Sequence, residues 1–295
     1  MADYVLTCCS TADLSAERFA ERNIPYVCFN YSLNGKTYKD DMGVTMSPKE
    51  LYDRMTSGED AKTSQVSVTD YVEFWEPYIQ EGKGVLHICL SSGISGTYNA
   101  ACIAKDDILE KYPNAQIYVV DSLQASAGFG LEMEYLADMR DEGKSIEELY
   151  DWIETNKLNF RAWFFSGDLT FFIKGGRVSK PAGVIGNMLG ICPLMEVNYE
   201  GKLLVREKIR GKKKAIKRVA EKAMELAENG AEYEGKYIIS HSECYEDARA
   251  VADLIEAQFP NMKEKVAIYN IGATIGSHTG PGTVATFFYG KKRVD

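Results

Sequence analysis

The segment 91–97 (Ser-Ser-Gly-Ile-Ser-Gly-Thr) carries the densest set of groups that could bind a ligand. Its glycines let a ligand approach the backbone closely, and the hydroxyls of Ser92 and Ser95 precede a predicted helix. Backbone N–H groups and the dipole at a helix start favour an anion, such as a carboxylate or a phosphate. A Ser/Gly turn with a capping serine is the structural alternative, and this segment alone does not separate the two.

The segment 272–282 surrounds one histidine, His278, with four glycines and a proline. A structural loop has no need of a titratable imidazole, and histidine is the side chain best suited to meet a carboxylate near neutral pH. We therefore predict a functional role for His278. In contrast, His87 lies within an apolar predicted strand and is predicted to be a hydrogen-bonded core residue. The role of His241 is left open.

A guanidinium and a group of hydroxyls offer two more polar sites. Arg177 follows two glycines in the segment 174–178, an arrangement suited to bidentate binding of an oxyanion. Its spacing is neither that of a Walker motif nor that of a dinucleotide fingerprint, and an exposed arginine at a glycine turn is the alternative. The triplet 63–65, which begins with Thr63, is predicted to lie in a loop, where such a triplet is typical of a turn or a helix cap.

Serine-hydrolase chemistry is an alternative interpretation of the same residues. The segment 93–96 (Gly-Ile-Ser-Gly) contains Ser95 but lacks the GxSxG spacing of a nucleophile elbow. His241 and His278 are available as bases, yet nothing in the sequence places either beside Ser95. An esterase therefore stays open as the second hypothesis.

The charge of the chain argues against general nucleic-acid binding. The 295 residues carry a net charge of −9, whereas nucleic-acid binding is driven by neutralisation of phosphates. The exception is the segment 206–218, which is rich in lysine and arginine and includes Arg210. A solvated helix face and a docking surface for an acidic partner or a phosphate are both compatible with this cluster.

The composition indicates a reduced, cytoplasmic protein, and we expect neither a metal site nor a cofactor. The seven cysteines are an odd number without a CxxC pair, which disfavours zinc and a disulfide framework. The chain opens without a basic and then apolar leader, and no stretch approaches the roughly 18 apolar residues of a membrane span. We expect membrane contact to be at most transient.

An α/β fold must position these polar segments. Apolar runs at 4–8, 84–90 and 117–120 alternate with predicted helices, which is the βαβ pattern of a mainly parallel, twisted sheet. In such sheets, ligands bind outside the carboxyl ends of the strands. The polar loops that follow these strands are 9–13, 91–97 and 121–122, and Cys9 is expected to be partly exposed in the first of them.

The length favours two domains, which we predict at 1–160 and 161–295. The second half mixes strands, helices and a hairpin around residues 198–201, which indicates a mixed α/β domain. In the first half, a further strand is predicted over 24–31. Thr69 is predicted to cap a helix over 70–81.

Together, these segments resemble the DegV family of bacterial fatty-acid-binding proteins. The resemblance spans almost the entire chain, and its motifs in this order are specific. Departures from the family pattern occur at Cys9, where an aspartate is usual, and at Val66, where a proline is usual. The matching segments are 10–14, 63–65, 91–98, 120–122, 175–178, Arg210 with its lysine run, and 276–282.

The resemblance implies that an acyl chain lies in a buried tunnel near the junction of two α/β domains. By position, Thr63 and Ser95 would bind the carboxylate, with Ser92 and His278 close by. The expected ligand is one long-chain fatty acid, such as palmitate, stearate or oleate. A carrier of another anionic lipid is the alternative, because no motif sets the shape of the tunnel.

The resemblance also implies a partner, a separate fatty acid kinase that carries ATP and phosphorylates the bound acid to an acyl phosphate. Arg177 and Arg210 match positions expected to help with that phosphate or with docking of the kinase. On this view the chain is a lipid-binding protein that presents the substrate, with no catalytic residues of its own.

Overall fold

The computed structural model of the chain describes residues 3–178 and 190–294. The strands of these residues form three sheets. In chain order, the strands are β1 (Tyr4–Cys9), β2 (Tyr26–Val27), β3 (Asn30–Leu33), β4 (Lys36–Lys39), β5 (Ala61–Ser64), β6 (Gly84–Cys89), β7 (Ile117–Asp121), β8 (Phe160–Ser166), β9 (Ile191–Val197), β10 (Leu203–Arg210), β11 (Tyr237–His241), β12 (Ala267–Asn270) and β13 (Thr283–Tyr289).

Helices separate most of these strands. In chain order, the α-helices of the described residues are α1 (Ala16–Glu21), α2 (Pro48–Thr56), α3 (Val68–Gln80), α4 (Thr97–Lys111), α5 (Ala127–Asp141), α6 (Ile146–Asn156), α7 (Thr170–Lys174), α8 (Lys212–Leu226), α9 (Tyr245–Gln258) and α10 (Ala273–Thr279). Within the described parts of the chain, no helix combines the length and apolar character needed to cross a bilayer.

The first sheet is fully parallel, with the strand order β2-β1-β6-β7. Every residue of β6 is buried, as expected for a parallel strand that is covered on both faces. The three polar loops after β1, β6 and β7 therefore meet at one edge of this sheet. The prediction of a mainly parallel sheet flanked by helices is confirmed.

The second sheet is mixed and has the strand order β10-β9-β8-β13-β11-β12. Its two faces pack into different cores, because side chains alternate along a strand. Ala162 and Phe164 of β8 face the core shared with the parallel sheet, whereas Trp163 and Phe165 face a second core against α8 and α9. The predicted mixed α/β second half is confirmed, while the division at residue 160 stays a prediction.

Helix α5 is the layer between the two larger sheets. It packs against β1 and β6 on one side and against β8, β11 and β13 on the other. Gly130 permits this close approach, since a Cβ there would lie 2.5 Å from the carbonyl oxygen of Ala12. The loops at the edge of the parallel sheet are thereby held against the second sheet.

The third sheet is small and antiparallel, with the order β4-β3-β5. The prediction of a single strand over 24–31 is wrong, because this segment is split into β2 and β3. The chain turns away between them because Phe29 donates its N–H to Ser10 Oγ at 3.1 Å and accepts from the Asp40 N–H at 2.9 Å. The prediction of a loop at Thr63 is also wrong, because Thr63 lies in β5 opposite Tyr31.

The segment around His278, predicted as a loop, contains helix α10. The carboxylate of Asp40 accepts the N–H groups of Ala273 and Thr274, both at 3.0 Å. These two bonds satisfy backbone donors that a helix start leaves without partners. A distant aspartate thus supplies the cap that the glycine-rich sequence lacks.

Two smaller predictions are also wrong. Ser67, rather than Thr69, caps α3, and it forms a capping box with Asp70. Cys9 is fully buried, because it is the last residue of β1 and packs in the hydrophobic core. Its Sγ lies 3.2 Å from Tyr71 Oη and 3.5 Å from His87 Nε2. The prediction that His87 is a hydrogen-bonded core residue is confirmed by these contacts.

Candidate functional site

A cavity of about 220 Å³ lies where the edge of the parallel sheet meets the second sheet. Its walls are largely apolar and come from β6, α7, β8, β9, β10 and β13 or from residues next to them. These walls include Leu90, Phe164, Phe172, Val197, Leu203 and Phe287. Such walls suit a hydrocarbon chain, which gains free energy when its surface leaves water.

Four of the predicted site residues line this cavity: Thr63, Ser95, Arg177 and His278. Thr63 Oγ1 lies 2.7 Å from His278 Nε2. The Arg177 guanidinium donates through Nε to the carbonyl of Ile94 at 3.3 Å, next to Ser95. One end of the apolar cavity is therefore polar, and residues from four distant parts of the chain form it.

The imidazole of His278 is neutral at pH 7. Burial, followed by the nearby Arg177 guanidinium, lowers its pKa from 6.5 to about 4. His278 Nδ1 is buried and has no hydrogen-bond partner among residues 3–178 and 190–294. We assign the ring proton to Nε2, because an unpaired N–H at Nδ1 would leave a buried donor without a partner. The ring then donates to Thr63 Oγ1, and the hydroxyl proton of Thr63 is free for an anionic ligand.

Packing fixes the position of the His278 ring. The helix that carries it is held by the Asp40 cap described above. Gly175, at the end of α7, lies against the ring, so that a Cβ there would overlap His278 Nδ1. Gly276 lies in the same way against the hydroxyl of Tyr52. Small residues are required at both positions for the imidazole to reach Thr63.

The loop 91–97 is hydrogen-bonded to the hairpin between β9 and β10. Ser91 Oγ donates to the carbonyl of Gly201 at 2.9 Å and accepts the Gly93 N–H at 3.0 Å. Gly201 has a φ of 71°, and any side chain there would overlap Ser91 Oγ. Ser95 Oγ accepts the N–H of Thr97 at 3.2 Å, which leaves its hydroxyl proton available to a ligand.

The structure does not bring Ser92 or Arg210 to the cavity. Ser92 is exposed, and its N–H donates to Asp121 Oδ1 at 3.1 Å. Arg210 is exposed at the end of β10. Neither belongs to the cavity lining. A role for Ser92 in carboxylate binding, and a role for Arg210 with the phosphate or in docking of the kinase, stay predictions.

The contacts of Ser95 do not favour the esterase hypothesis. Within the described residues, no hydrogen bond joins Ser95 to a histidine, and His278 bonds to Thr63 instead. His241 bonds through Nδ1 to the N–H of Cys244 at 3.4 Å and does not line the cavity. A serine nucleophile needs its base within hydrogen-bond reach, and that arrangement is not present here.

Sequence reasoning missed the apolar walls and Gln65. Gln65 lines the cavity, and its side chain lies so close to Gly96 that a Cβ there would be 2.5 Å from Gln65 Oε1. Gln65 belongs to the triplet that begins with Thr63, and this position could have indicated that it lines the same site. The walls had no such signal, because their residues come from strands and helices far apart in the sequence.

The fold and the site define a class of protein, in which an α/β scaffold surrounds an apolar cavity that ends in hydroxyls, a neutral imidazole and a guanidinium. Such a cavity is complementary to an amphipathic molecule with an anionic end. The chain belongs to the DegV family, since the model of that family, described as an uncharacterised protein family, matches residues 7–291.

Individual relatives agree with this assignment. A DegV domain-containing protein of Clostridium perfringens is 37% identical over 290 residues, which cover 98% of each chain. The crystal structure of a fatty-acid-binding DegV family protein from Streptococcus agalactiae superposes with a TM-score of 0.83 at 28% identity, covering 99% of this chain and 100% of that one. The Streptococcus pneumoniae Fatty Acid Kinase (Fak) B3 protein, loaded with linoleic acid, has the same fold, with a TM-score of 0.84 at 21% identity over 99% of this chain and 100% of that one.

Proposed function

We propose that this protein binds one long-chain fatty acid, with the acyl chain in the apolar cavity and the carboxylate at the polar end. The observation that carries the proposal is the pair of Thr63 Oγ1 and His278 Nε2, 2.7 Å apart at one end of an apolar cavity. Palmitate, stearate and oleate are the ligands expected. The fatty-acid binding described for relatives of the same fold supports this proposal.

The apolar walls supply most of the affinity. A chain of sixteen carbons contributes about 0.8 kcal/mol for each buried CH₂, or on the order of 10 kcal/mol before the cost of association. This term is independent of the charged end, so it explains retention of a lipid but not its orientation. Orientation requires donors for the carboxylate, because a charge removed from water must be hydrogen-bonded.

Two side chains, Thr63 and Ser95, provide these donors, and His278 orients the first of them. In the proposed complex, Thr63 donates its hydroxyl proton to one carboxylate oxygen while His278 Nε2–H donates to Thr63. Ser95 donates its hydroxyl to the carboxylate from the loop before α4. Arg177 supplies the positive charge nearby, and among the described residues no carboxylate side chain contacts its guanidinium.

We further propose that the protein does no chemistry itself and presents the acid to a separate fatty acid kinase, which phosphorylates the carboxylate with ATP. The resemblance of the motifs to the family supports this role, as does the shared fold with a protein of a fatty acid kinase system. Arg177 would act on the phosphate, and Arg210 on the docked kinase. A cytoplasmic location follows from this partnership.

Retention of endogenous lipid in alanine variants tests the proposal. The wild-type protein, purified without detergent and then denatured and extracted, should release one equivalent of a long-chain fatty acid. Thr63→Ala and Ser95→Ala should release less, while Ser64→Ala, an exposed neighbour in β5, should release as much as wild type. Full occupancy in both site variants would refute the proposed carboxylate site, and another anionic lipid in the extract would replace the fatty acid as the ligand.

A further inference from the structure

Arg293, which follows β13, is only 2% exposed, whereas an arginine side chain usually lies at the surface. Its Nη1 donates to the carbonyls of Leu123 and Asn198, both at 2.8 Å. Its Nη2 donates to the carbonyl of Lys157 at 3.0 Å. One guanidinium therefore joins three segments: the loop after β7, the hairpin between β9 and β10, and the residues just before β8.

The guanidinium of Arg293 keeps its positive charge at pH 7. Burial, the largest influence, lowers its pKa to about 10, and the buried carboxyl group of Glu132 acts against this fall. A planar guanidinium donates in several fixed directions at once, which a lysine ammonium on its flexible chain does not match. Arg293 is therefore suited to hold the backbone carbonyls of distant segments in one arrangement.

Two of these segments are hydrogen-bonded to Ser91, the first residue of the loop before α4. The Ser91 N–H donates to the carbonyl of Gln124, in the loop after β7, at 3.0 Å. The Ser91 hydroxyl donates to the carbonyl of Gly201, in the hairpin, at 2.9 Å. The Gly201 N–H donates at 3.0 Å to the same Asn198 carbonyl that Arg293 binds. Both segments held by Arg293 therefore meet at Ser91, which is fully buried.

Ser91 in turn fixes the position of Ser95. The Ser91 carbonyl accepts the N–H groups of Ile94 and Ser95, at 3.2 and 3.1 Å. The Ser91 Oγ accepts the Gly93 N–H at 3.0 Å. These three bonds define the turn that brings Ser95 to the polar end of the cavity.

The loop after β7 needs such a hold, because part of its backbone is strained. Leu123 has a φ of 53°, a left-handed conformation that is unfavourable for a residue with a bulky side chain. Its N–H donates to Asp121 Oδ1 at 3.1 Å, while its carbonyl accepts from Arg293. The same Asp121 oxygen accepts the Ser92 N–H at 3.1 Å. The loop that carries Ser95 is thus bound directly to a strained loop that Arg293 stabilises.

We infer that Arg293 is a positioning residue for the ligand site, which holds Ser91 and thereby places the Ser95 hydroxyl to bind the carboxylate. This inference rests on the proposed function. Arg293 does not itself line the cavity, so it acts through the position of the loop and not by contact with the ligand.

A double-mutant cycle separates this positioning role from a general effect on stability. Dissociation constants for palmitate, and for hexadecanol, which lacks the carboxylate, are measured by titration calorimetry on delipidated protein. The variants are Arg293→Lys and Ser91→Ala, each alone and combined with Ser95→Ala. Lysine at 293 keeps a positive charge near Glu132 and removes the planar arrangement of donors.

The control is Arg22→Lys. Arg22 follows α1 and pairs with Asp138 of α5 at 2.6 Å, so this variant makes the same chemical change at another junction between elements. It should leave the dissociation constants of both ligands unchanged.

Arg293→Lys and Ser91→Ala should each weaken palmitate binding roughly three- to tenfold and change hexadecanol binding less than about twofold. Neither should weaken palmitate binding further when Ser95 is already alanine. No loss, an equal loss for the two ligands, or the same loss with and without Ser95 would overturn the inference. Ser91→Ala applies these criteria if Arg293→Lys does not fold. Failure of wild type to bind palmitate, or unchanged palmitate binding in Ser95→Ala, would instead refute the proposed function.

Discussion

Replacing Thr63 by valine should weaken palmitate binding by roughly 10- to 100-fold, since a hydrogen bond to a charged group contributes about 1.5–3 kcal/mol. Valine has nearly the shape of threonine, so the apolar contacts and the volume of the cavity stay the same. The substitution removes the hydroxyl that would bind the carboxylate. It also removes the partner of His278 Nε2, which lies 2.7 Å away in wild type.

The chain offers a matched control in Thr283. It lines the same cavity, it is 1% exposed, and its Oγ1 has no hydrogen-bond partner within the part of the chain that the structure describes. Thr283→Val should therefore leave palmitate affinity unchanged or slightly higher, because it removes an unsatisfied buried hydroxyl. The two variants differ in where the hydroxyl lies and not in the chemistry of the change.

The assay is titration calorimetry of delipidated protein with palmitate and with hexadecanol, which has the same chain and no charge. Thr63→Val should lose more affinity for palmitate than for the alcohol, since charged hydrogen bonds are the stronger ones. Equal affinity of Thr63→Val and wild type for palmitate would refute the proposed orientation of the ligand. An equal loss in Thr283→Val would show that cavity polarity, rather than the Thr63 contact, sets affinity.

Three further predictions follow from the same contacts. The pKa of His278 is about 4 in the folded protein, whereas its ordinary value is 6.5. Between these two pH values the unfolded chain binds more protons than the folded one. The free energy of unfolding should therefore fall as the pH falls through this window. The free energy of unfolding should fall by about 3 kcal/mol across this window. Urea denaturation of the delipidated His278→Gln variant should not show this fall. Gly175→Ala should displace the His278 ring and weaken palmitate binding in the same titration calorimetry. Asp40→Asn should lower the free energy of unfolding by about 1–3 kcal/mol, measured by urea denaturation.

The glycine and aspartate changes each have a control variant. Gly167→Ala adds a methyl group where no atom lies within 4 Å, so it should leave palmitate binding intact. Asp53→Asn changes an exposed carboxylate that pairs only with Lys49 among the described residues, and it should alter stability by less than about 0.5 kcal/mol. A His278→Gln protein with the same pH dependence as wild type would contradict the low pKa of this histidine.

The parallel sheet and the polar loops at its edge were predictable because they depend on local signals. The apolar run of β6 and the polar residues directly after it can be recognised without knowing what packs against them. The same holds for the choice of His278, which lines the cavity, because its glycine-rich surroundings are unusual; its functional role stays a prediction. These parts of the site are short in sequence, and their chemistry is visible in the residue types.

The geometry that joins these parts was not predictable, because it depends on distant contacts. Helix α10 begins where Asp40 caps it, and Asp40 lies 233 residues from Ala273 in the sequence. Thr63 faces His278 because β5 pairs with β3 in a small sheet. No pattern of alternating residues predicted this pairing. The apolar walls likewise come from elements that meet only in the folded chain.

Native mass spectrometry of the freshly purified protein tests the central claim most directly. The proposed function predicts a mass excess equal to one long-chain fatty acid of about 14–18 carbons, since a chain of that length buries enough CH₂ groups to be retained, and the released molecule should be identified as such after denaturation. A protein that is empty, and that also fails to take up palmitate or oleate when these are added, would contradict the claim that the cavity is a fatty-acid site.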